Sequence, residues 1–253
     1  MKLRLLSFVL AASLAAGVGA SAEQSGVSLV AQPALAPDVA AFPRLAEIDG
    51  PSKRVNLALA KADARVRDAA KQCRADAVAA HDPDGGWQRS IGIAMRGPGY
   101  LALVAFDNWF CGGAYPSTDS FALAYDLKTG SPLNWARLLP KTLVQTASLD
   151  TAGDDTQLGV VGSPALTALY LALAKPDSDC TEALRQEDLH FMLWPDAAAE
   201  GVGIEPSGLA HAIAACGPAV TIPVARLRTL GADPALLDAI TAGHKAGLFN
   251  RAR

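Results

Sequence analysis

Four cysteines constrain this chain more than any other feature of its sequence. They are Cys73, Cys111, Cys180 and Cys216, two in each half of the chain. Four cysteines can pair in three ways. We favour Cys73–Cys111 and Cys180–Cys216 because each pair lies within its own half, and each would close a loop of about 36 to 38 residues that stabilises the fold by roughly 3–4 kcal/mol. A zinc site is the alternative, but no two cysteines are close in sequence and no histidine stands at ligand spacing.

The amino-terminal sequence explains why disulfides are expected at all. Lys2 and Arg4 precede an apolar run over residues 5–16, and Ala20-Ser21-Ala22 then supplies the small side chains that signal peptidase requires. The run is too short to span a bilayer comfortably, so we favour a cleavable signal peptide, residues 1–22, over a membrane anchor. We therefore expect a secreted protein of a bacterial periplasm, where disulfides form, with no membrane span after cleavage.

The charge composition excludes one class of partner. The formal net charge is -3 and no basic run stands out, so there is no electrostatic case for binding nucleic acid.

The hydrophobic periodicity predicts an α+β fold, an antiparallel sheet with N-terminal, middle and C-terminal helices. Apolar residues recur at steps of three and four from Ser52 to Ala80, which predicts a helix with Ser52 as N-cap and Cys73 on its buried face. Further helices are predicted over 164–174 and 236–245. Alternating or apolar segments bounded by turns predict strands over residues 87–96, 100–106, 121–127, 189–194, 201–204 and 220–223.

These elements divide the chain into four predicted parts. After the signal peptide, residues 23–41 are small, polar and proline-containing, and are predicted to be a flexible leader. Residues 42–140 form a predicted N-terminal α+β subdomain, and residues 141–253 a C-terminal α+β subdomain.

The most distinctive segment lies between Tyr100 and Pro140. It contains the turn Gly112-Gly113-Ala114-Tyr115-Pro116 and the strand exit Asp126-Leu127-Lys128-Thr129-Gly130, followed by a leucine-rich stretch. Together these motifs resemble a family of extracytoplasmic domains that includes the sensor region of RsiV-like anti-sigma factors and the N-terminal region of PdaC-type peptidoglycan deacetylases. The resemblance extends over about residues 42 to 230, and Tyr115 replaces the histidine that is usual in the family.

The resemblance implies a binding function. In the anti-sigma relatives the domain binds lysozyme, and in the deacetylases it accompanies a cell-wall enzyme, so a lysozyme-like protein or peptidoglycan is the expected partner. The candidate binding residues are Trp109, Gly112, Gly113 and Tyr115. The glycines could instead serve only the geometry of the turn, and Trp109 could pack in the core, which is the more common place for tryptophan.

The sequence contains no catalytic motif. His-Glu-x-x-His, Gly-x-Ser-x-Gly, a phosphate loop and a dinucleotide fingerprint are all absent. Asp150, Asp154 and Asp155 lie in a glycine-bearing segment, where a solvated acidic loop is favoured over a calcium site because the spacing fits no EF-hand. We therefore expect a non-enzymatic binding protein with no cofactor and no metal. The alternatives are a cell-wall hydrolase or deacetylase accessory, a cryptic envelope hydrolase, or a purely structural envelope protein.

Overall fold

The computed structural model describes residues 26–250, so the predicted signal peptide lies outside the described residues. The described chain has an α+β fold, as predicted. Its strands are β1 (Leu29–Val30), β2 (Arg44–Leu45), β3 (Gly86–Arg96), β4 (Tyr100–Phe110), β5 (Ser117–Asp126), β6 (Ser131–Pro132), β7 (Thr146–Thr151), β8 (Gln157–Gly162), β9 (His190–Asp196), β10 (Gly201–Ser207) and β11 (Val220–Pro223). Its helices are α1 (Gly50–Ala79), α2 (Trp135–Leu138), α3 (Pro164–Ala174), α4 (Ser178–Gln186), a 3₁₀ helix (His211–Cys216), α5 (Val224–Leu230) and α6 (Pro234–Lys245).

The strands form two main antiparallel sheets. The first has the order β3-β4-β5-β6 and the second the order β11-β10-β9-β8-β7. The chain passes from the first sheet to the second close to the subdomain boundary predicted after residue 140. One buried cluster nevertheless contains side chains of both sheets, such as Leu103 of β4 and Ile204 of β10, so the two sheets share a core.

Helix α1 begins earlier than predicted. Asp49 is its N-cap, because the Asp49 carboxylate accepts a 2.7 Å hydrogen bond from the backbone N–H of Ser52. The prediction that Ser52 is the cap was wrong by three positions, since Pro51 fits the first turn of a helix and has no N–H to satisfy. The predicted apolar stripe is buried from Val55 to Ala77, except at Ala69, which is half-buried.

Both predicted cysteine pairs are formed. Cys73 and Cys111 are joined with a sulfur–sulfur distance of 2.06 Å, and Cys180 and Cys216 with one of 1.95 Å. The first disulfide ties the buried face of α1 to the residue that follows β4. The second ties α4, a helix that the sequence analysis missed, to the 3₁₀ helix.

Residues 26–41 differ from the flexible leader predicted for residues 23–41. β1 pairs with β2, and Val39 is only 1% exposed. The backbone of Asp38 and Ala40 exchanges hydrogen bonds with that of Arg89 at the edge of β3. Small and proline-rich segments can order in this way when their backbone groups pair with an uncovered strand.

The segment that was predicted as a solvated acidic loop is a β-hairpin. β7 and β8 pair from Thr146 opposite Gly162 to Thr151 opposite Gln157. Asp155 at the turn is exposed, whereas Asp154 is 1% exposed. The prediction was therefore wrong for Asp154, which lies in the interior and has a partner there.

None of the helices within residues 26–250 is both long and apolar enough to cross a membrane.

Candidate functional site

A cleft of about 1400 Å³ opens where the two sheets meet. Its walls come from β3, β4 and β5 on one side, and from the β7–β8 hairpin, β10 and the 3₁₀ helix on the other. β6 covers the outer edge of β5 only at Tyr125 and Asp126, so the first half of β5 is left facing the cleft. Asp119 and Ser120 lie in this uncovered half.

Glu205 of β10 bridges the cleft to β5. Its carboxyl group accepts a 2.5 Å hydrogen bond from the Ser120 hydroxyl. Burial raises the pKa of Glu205 to about 7; the bond from Ser120 acts against this rise, and the negative charge of Asp119 adds to it. Glu205 is therefore a carboxyl group that changes its protonation state near neutral pH.

Asp119 is the second half-buried carboxyl group of the cleft. It accepts a 2.9 Å hydrogen bond from the backbone N–H of Gly153, at the tip of the β7–β8 hairpin. Burial raises its pKa, the bond from Gly153 opposes the rise, and the charges of Asp107 and Asp154 add to it. No described Lys, Arg or His forms an ion pair with Asp119 or Glu205.

A fully buried ion cluster lies beside these two carboxyl groups. Arg89 of β3 binds Asp107 of β4 through Nε and Nη2, and binds Asp154 through Nη2 at 2.8 Å. Trp87 donates its indole N–H to Asp107 at 2.9 Å, and the backbone N–H of Thr156 donates to Asp154 at 2.9 Å. Burial alone would lower the pKa of Arg89, but its bonds to the two carboxylates outweigh burial and the pKa is raised.

The remaining nitrogen of Arg89 has an aromatic environment. Nη1 has no hydrogen-bond partner among the described residues. The guanidinium carbon lies 5.1 Å from the ring centroid of Phe121 and 5.7 Å from that of Phe42. Contacts with two ring faces are favourable for a guanidinium group and compensate in part for the missing acceptor.

The cleft carries an excess of negative charge. Four carboxyl groups line it, those of Asp38, Asp107, Asp119 and Glu205, and Arg89 is the only Lys or Arg among its described lining residues. Arg89 is itself neutralised by Asp107 and Asp154. A positively charged group that entered the cleft would therefore meet unbalanced carboxylates in a partly desolvated place, where attraction is stronger than in water.

Of the predicted binding residues, Trp109 lies in the cleft, whereas Gly112, Gly113 and Tyr115 lie outside it. Trp109 lines it and is half-buried, with its ring stacked on that of Trp87 at 4.7 Å between centroids. A Cβ at Gly153 would lie 2.8 Å from the Trp109 ring, so the hairpin tip can close over this tryptophan only because residue 153 has no side chain.

The predicted turn lies beyond the rim. Gly112 has a φ of 84°, and a Cβ there would lie 2.4 Å from the Cβ of Ala80, so its glycine is required by the close approach of α1. Gly113 is exposed and has open space around it. Tyr115 is 75% exposed, and its ring centroid lies 6.4 Å from that of His211, a residue of the cleft lining.

The sequence analysis missed the carboxyl groups and the ion cluster. A signal for the cluster was present: Arg89 lies within the predicted strand 87–96, and Asp107 directly follows the predicted strand 100–106 on the side of its apolar residues Leu103 and Ala105, and buried charges need partners. Glu205 gave no such signal, because its partner Ser120 lies 85 residues away in sequence. Within the described residues there is no group of three or more His, Cys, Asp or Glu side chains that could hold a metal ion.

No family model and no curated protein matches the sequence. The chain is similar to a crystal structure of a member of the DUF3298 family from Bacteroides fragilis, with a TM-score of 0.46 and 13% sequence identity over 79% of this chain and 86% of that one. The resemblance to RsiV-like and PdaC-type domains stays a prediction.

Proposed function

We propose that this chain is an extracytoplasmic binding protein whose cleft receives a positively charged partner. The excess of carboxyl groups over cations in the cleft carries this proposal. The two disulfides are consistent with a secreted protein, and they support the periplasm as its proposed location.

The charge of the cleft favours one of the two expected partners. Peptidoglycan carries carboxylates on its peptides, so it would be repelled by Asp119 and ionised Glu205. A positively charged surface favours the binding of an enzyme to this anionic polymer, and such a surface is complementary to the cleft. A basic, lysozyme-like protein is therefore the partner that we propose, with Trp109 and Tyr115 as aromatic contacts at the cleft and beyond its rim.

A binding experiment with matched variants tests the proposal. The chain without residues 1–22 is immobilised and offered purified lysozyme or peptidoglycan sacculi at increasing salt. We expect lysozyme to be retained at low salt and released as salt screens the charges. The double variant Asp119→Asn/Glu205→Gln should bind lysozyme about tenfold more weakly.

The control removes a charge elsewhere. Asp68→Asn takes one carboxylate from the exposed face of α1 and should leave the affinity for lysozyme unchanged. Equal binding by the double variant would exclude the cleft as the site, and retention of neither bait would contradict a binding function of this kind.

One observation favours a second candidate function, an envelope hydrolase. Glu205 has a pKa of about 7, so about half of the molecules keep its proton at pH 7 and could use it as a general acid. Asp119 lies in the same cleft as a candidate base. Incubation of sacculi with the protein tests this candidate. Release of soluble fragments by the wild type but not by Glu205→Gln would support hydrolysis, whereas no release by the wild type would reject it.

A further inference from the structure

Two long strand edges are left uncovered in the described part of the molecule: the first half of β5, which faces the cleft, and β7, which ends the second sheet. The first sheet ends at β3 and β6, and the second at β11 and β7. The outer edge of β3 is paired with other segments: Arg89 with residues 38 and 40, Ile93 with Asn250, and Arg96 with Val27 and Leu248. β6 has two residues and β11 has four.

β7 is the exception. It has six residues, and its backbone pairs only with β8 among the described residues. An edge of this length presents unpaired N–H and C=O groups to any extended chain that meets it.

The sequence of β7 lacks the usual protection of an edge strand. Residues 145–149 read Gln-Thr-Ala-Ser-Leu, without charge or proline, and all five are exposed. Leu149 is 72% exposed. The single charge of the strand, Asp150, is held by a 2.6 Å hydrogen bond from the Ser207 hydroxyl. Proteins that must stay apart at such an edge place lysine, proline or a bulge there, and β7 has none of these.

The strand is also complementary to itself. In an antiparallel pairing of two copies centred on Ser148, Leu149 of each copy lies opposite Ala147 of the other, which makes two apolar pairs on one face. On the other face Thr146 lies opposite Asp150, so each carboxylate meets a neutral hydroxyl group, whose proton is donated to the Gly162 carbonyl, and the two carboxylates do not face one another. A shift of one residue places Leu149 opposite Ser148, and both the apolar pairs and the pairs of threonine with aspartate are lost.

We propose that β7 pairs antiparallel with β7 of a second copy of this chain, about a twofold axis through Ser148, so that the two five-stranded sheets become one continuous sheet. This inference is independent of the cleft and of its proposed partner. The pairing is isologous, as expected of a twofold dimer, because each copy contributes the same strand.

Sedimentation of the chain without residues 1–22 over a range of concentrations tests the association. We expect a reversible dimer for the wild type. Ser148→Asp places two carboxylates directly opposite each other at the twofold axis and should weaken the dimer about tenfold or more. The same change at Ser178, an exposed residue at the start of α4, should leave the dimer intact because a helix N-terminus tolerates a further carboxylate. A wild type that is monomeric at every concentration overturns the proposal, as does a dimer that Ser148→Asp leaves unchanged.

Cross-linking tests the register. All four native cysteines are in disulfides, so one introduced cysteine reports on its own surroundings. Ser148→Cys should give a disulfide-linked dimer under mild oxidation, because the two copies of residue 148 face each other. Thr146→Cys should not, because it lies about 13 Å along the strand from its counterpart. No cross-link at residue 148, or equal cross-linking at both positions, would refute the pairing.

Discussion

Two carboxyl groups that face each other across neighbouring strands have opposite surroundings. Asp107 of β4 and Asp119 of β5 are register partners. Asp107 is buried with Arg89 and the Trp87 indole, whereas Asp119 has a backbone N–H from Gly153 and no cation among the described residues. The comparison teaches that aspartates on two neighbouring strands can have different roles. Asp107, which is paired with Arg89, stabilises the fold. Asp119, which has no cationic partner among the described residues, remains available to bind a positively charged ligand.

The largest expected effect comes from removing Arg89, the cation that pairs with Asp107. Arg89→Met would leave Asp107 and Asp154 buried without a counter-ion, and we expect the free energy of unfolding to fall by about 3–5 kcal/mol. Urea unfolding measures the change. The control is Arg228→Met, which removes the exposed pair with Asp238, whose side chains are 53% and 70% exposed. That change should lower the free energy of unfolding by less than about 1 kcal/mol. An equal decrease in both variants would show that the buried cluster stabilises the fold no more than the exposed ion pair does.

A smaller effect is expected from Glu205, a carboxyl group without a cationic partner among the described residues: it should make the free energy of unfolding depend on pH. The pKa of Glu205 is about 7 in the folded protein against an ordinary 4.5, so between these values the folded state keeps a proton that the unfolded chain has released. The free energy of unfolding should therefore fall as pH rises through this window, by on the order of 2 kcal/mol, and then level off. Glu205→Gln should remove this component from urea unfolding measured between pH 5 and pH 8. Curves for the two proteins that run parallel across the window would contradict the assignment.

The smallest effect concerns the coupling between the two unpaired carboxyl groups. Asp119→Asn keeps an acceptor for the Gly153 N–H but removes the negative charge that raises the pKa of Glu205. We expect that pKa to fall by a few tenths of a pH unit, as followed by the carboxyl chemical shift of Glu205 in an NMR titration. Asp155→Asn, at the exposed hairpin turn, is the control that should leave it unchanged. A Glu205 titration that is identical in all three proteins would mean that the two groups do not interact.

Local patterns in the sequence predicted most of the elements but not the cleft. The helix that contains Val55 and Cys73, and the strands around Leu103 and Leu193, follow from periodicities that a few neighbouring residues define. The β7–β8 hairpin was missed because its glycines and aspartates are typical of loops, and its pairing depends on tertiary contacts such as the one between Asp154 and Arg89.

The candidate site depends on contacts that no local pattern encodes. Ser120 and Glu205 belong to different sheets, and only the packing of the sheets brings them together. The raised pKa of Glu205 follows from burial created by that packing. The sequence analysis directed attention to the Gly112-Gly113 turn because turn chemistry is visible in sequence, whereas the environment of a carboxyl group is not.

The pairing of both ends of the described residues with β3 has a consequence for the connectivity of the fold. Arg96 accepts a hydrogen bond from the N–H of Val27 and donates its own to Leu248, and Gly26 lies against the Leu248 side chain. The two ends of the described chain are therefore neighbours, and a short linker could join them. A circular permutant opened between the exposed residues Gly113 and Tyr115 would then keep every strand, both disulfides and the cleft, because the order of the elements along the chain is separable from their arrangement in space.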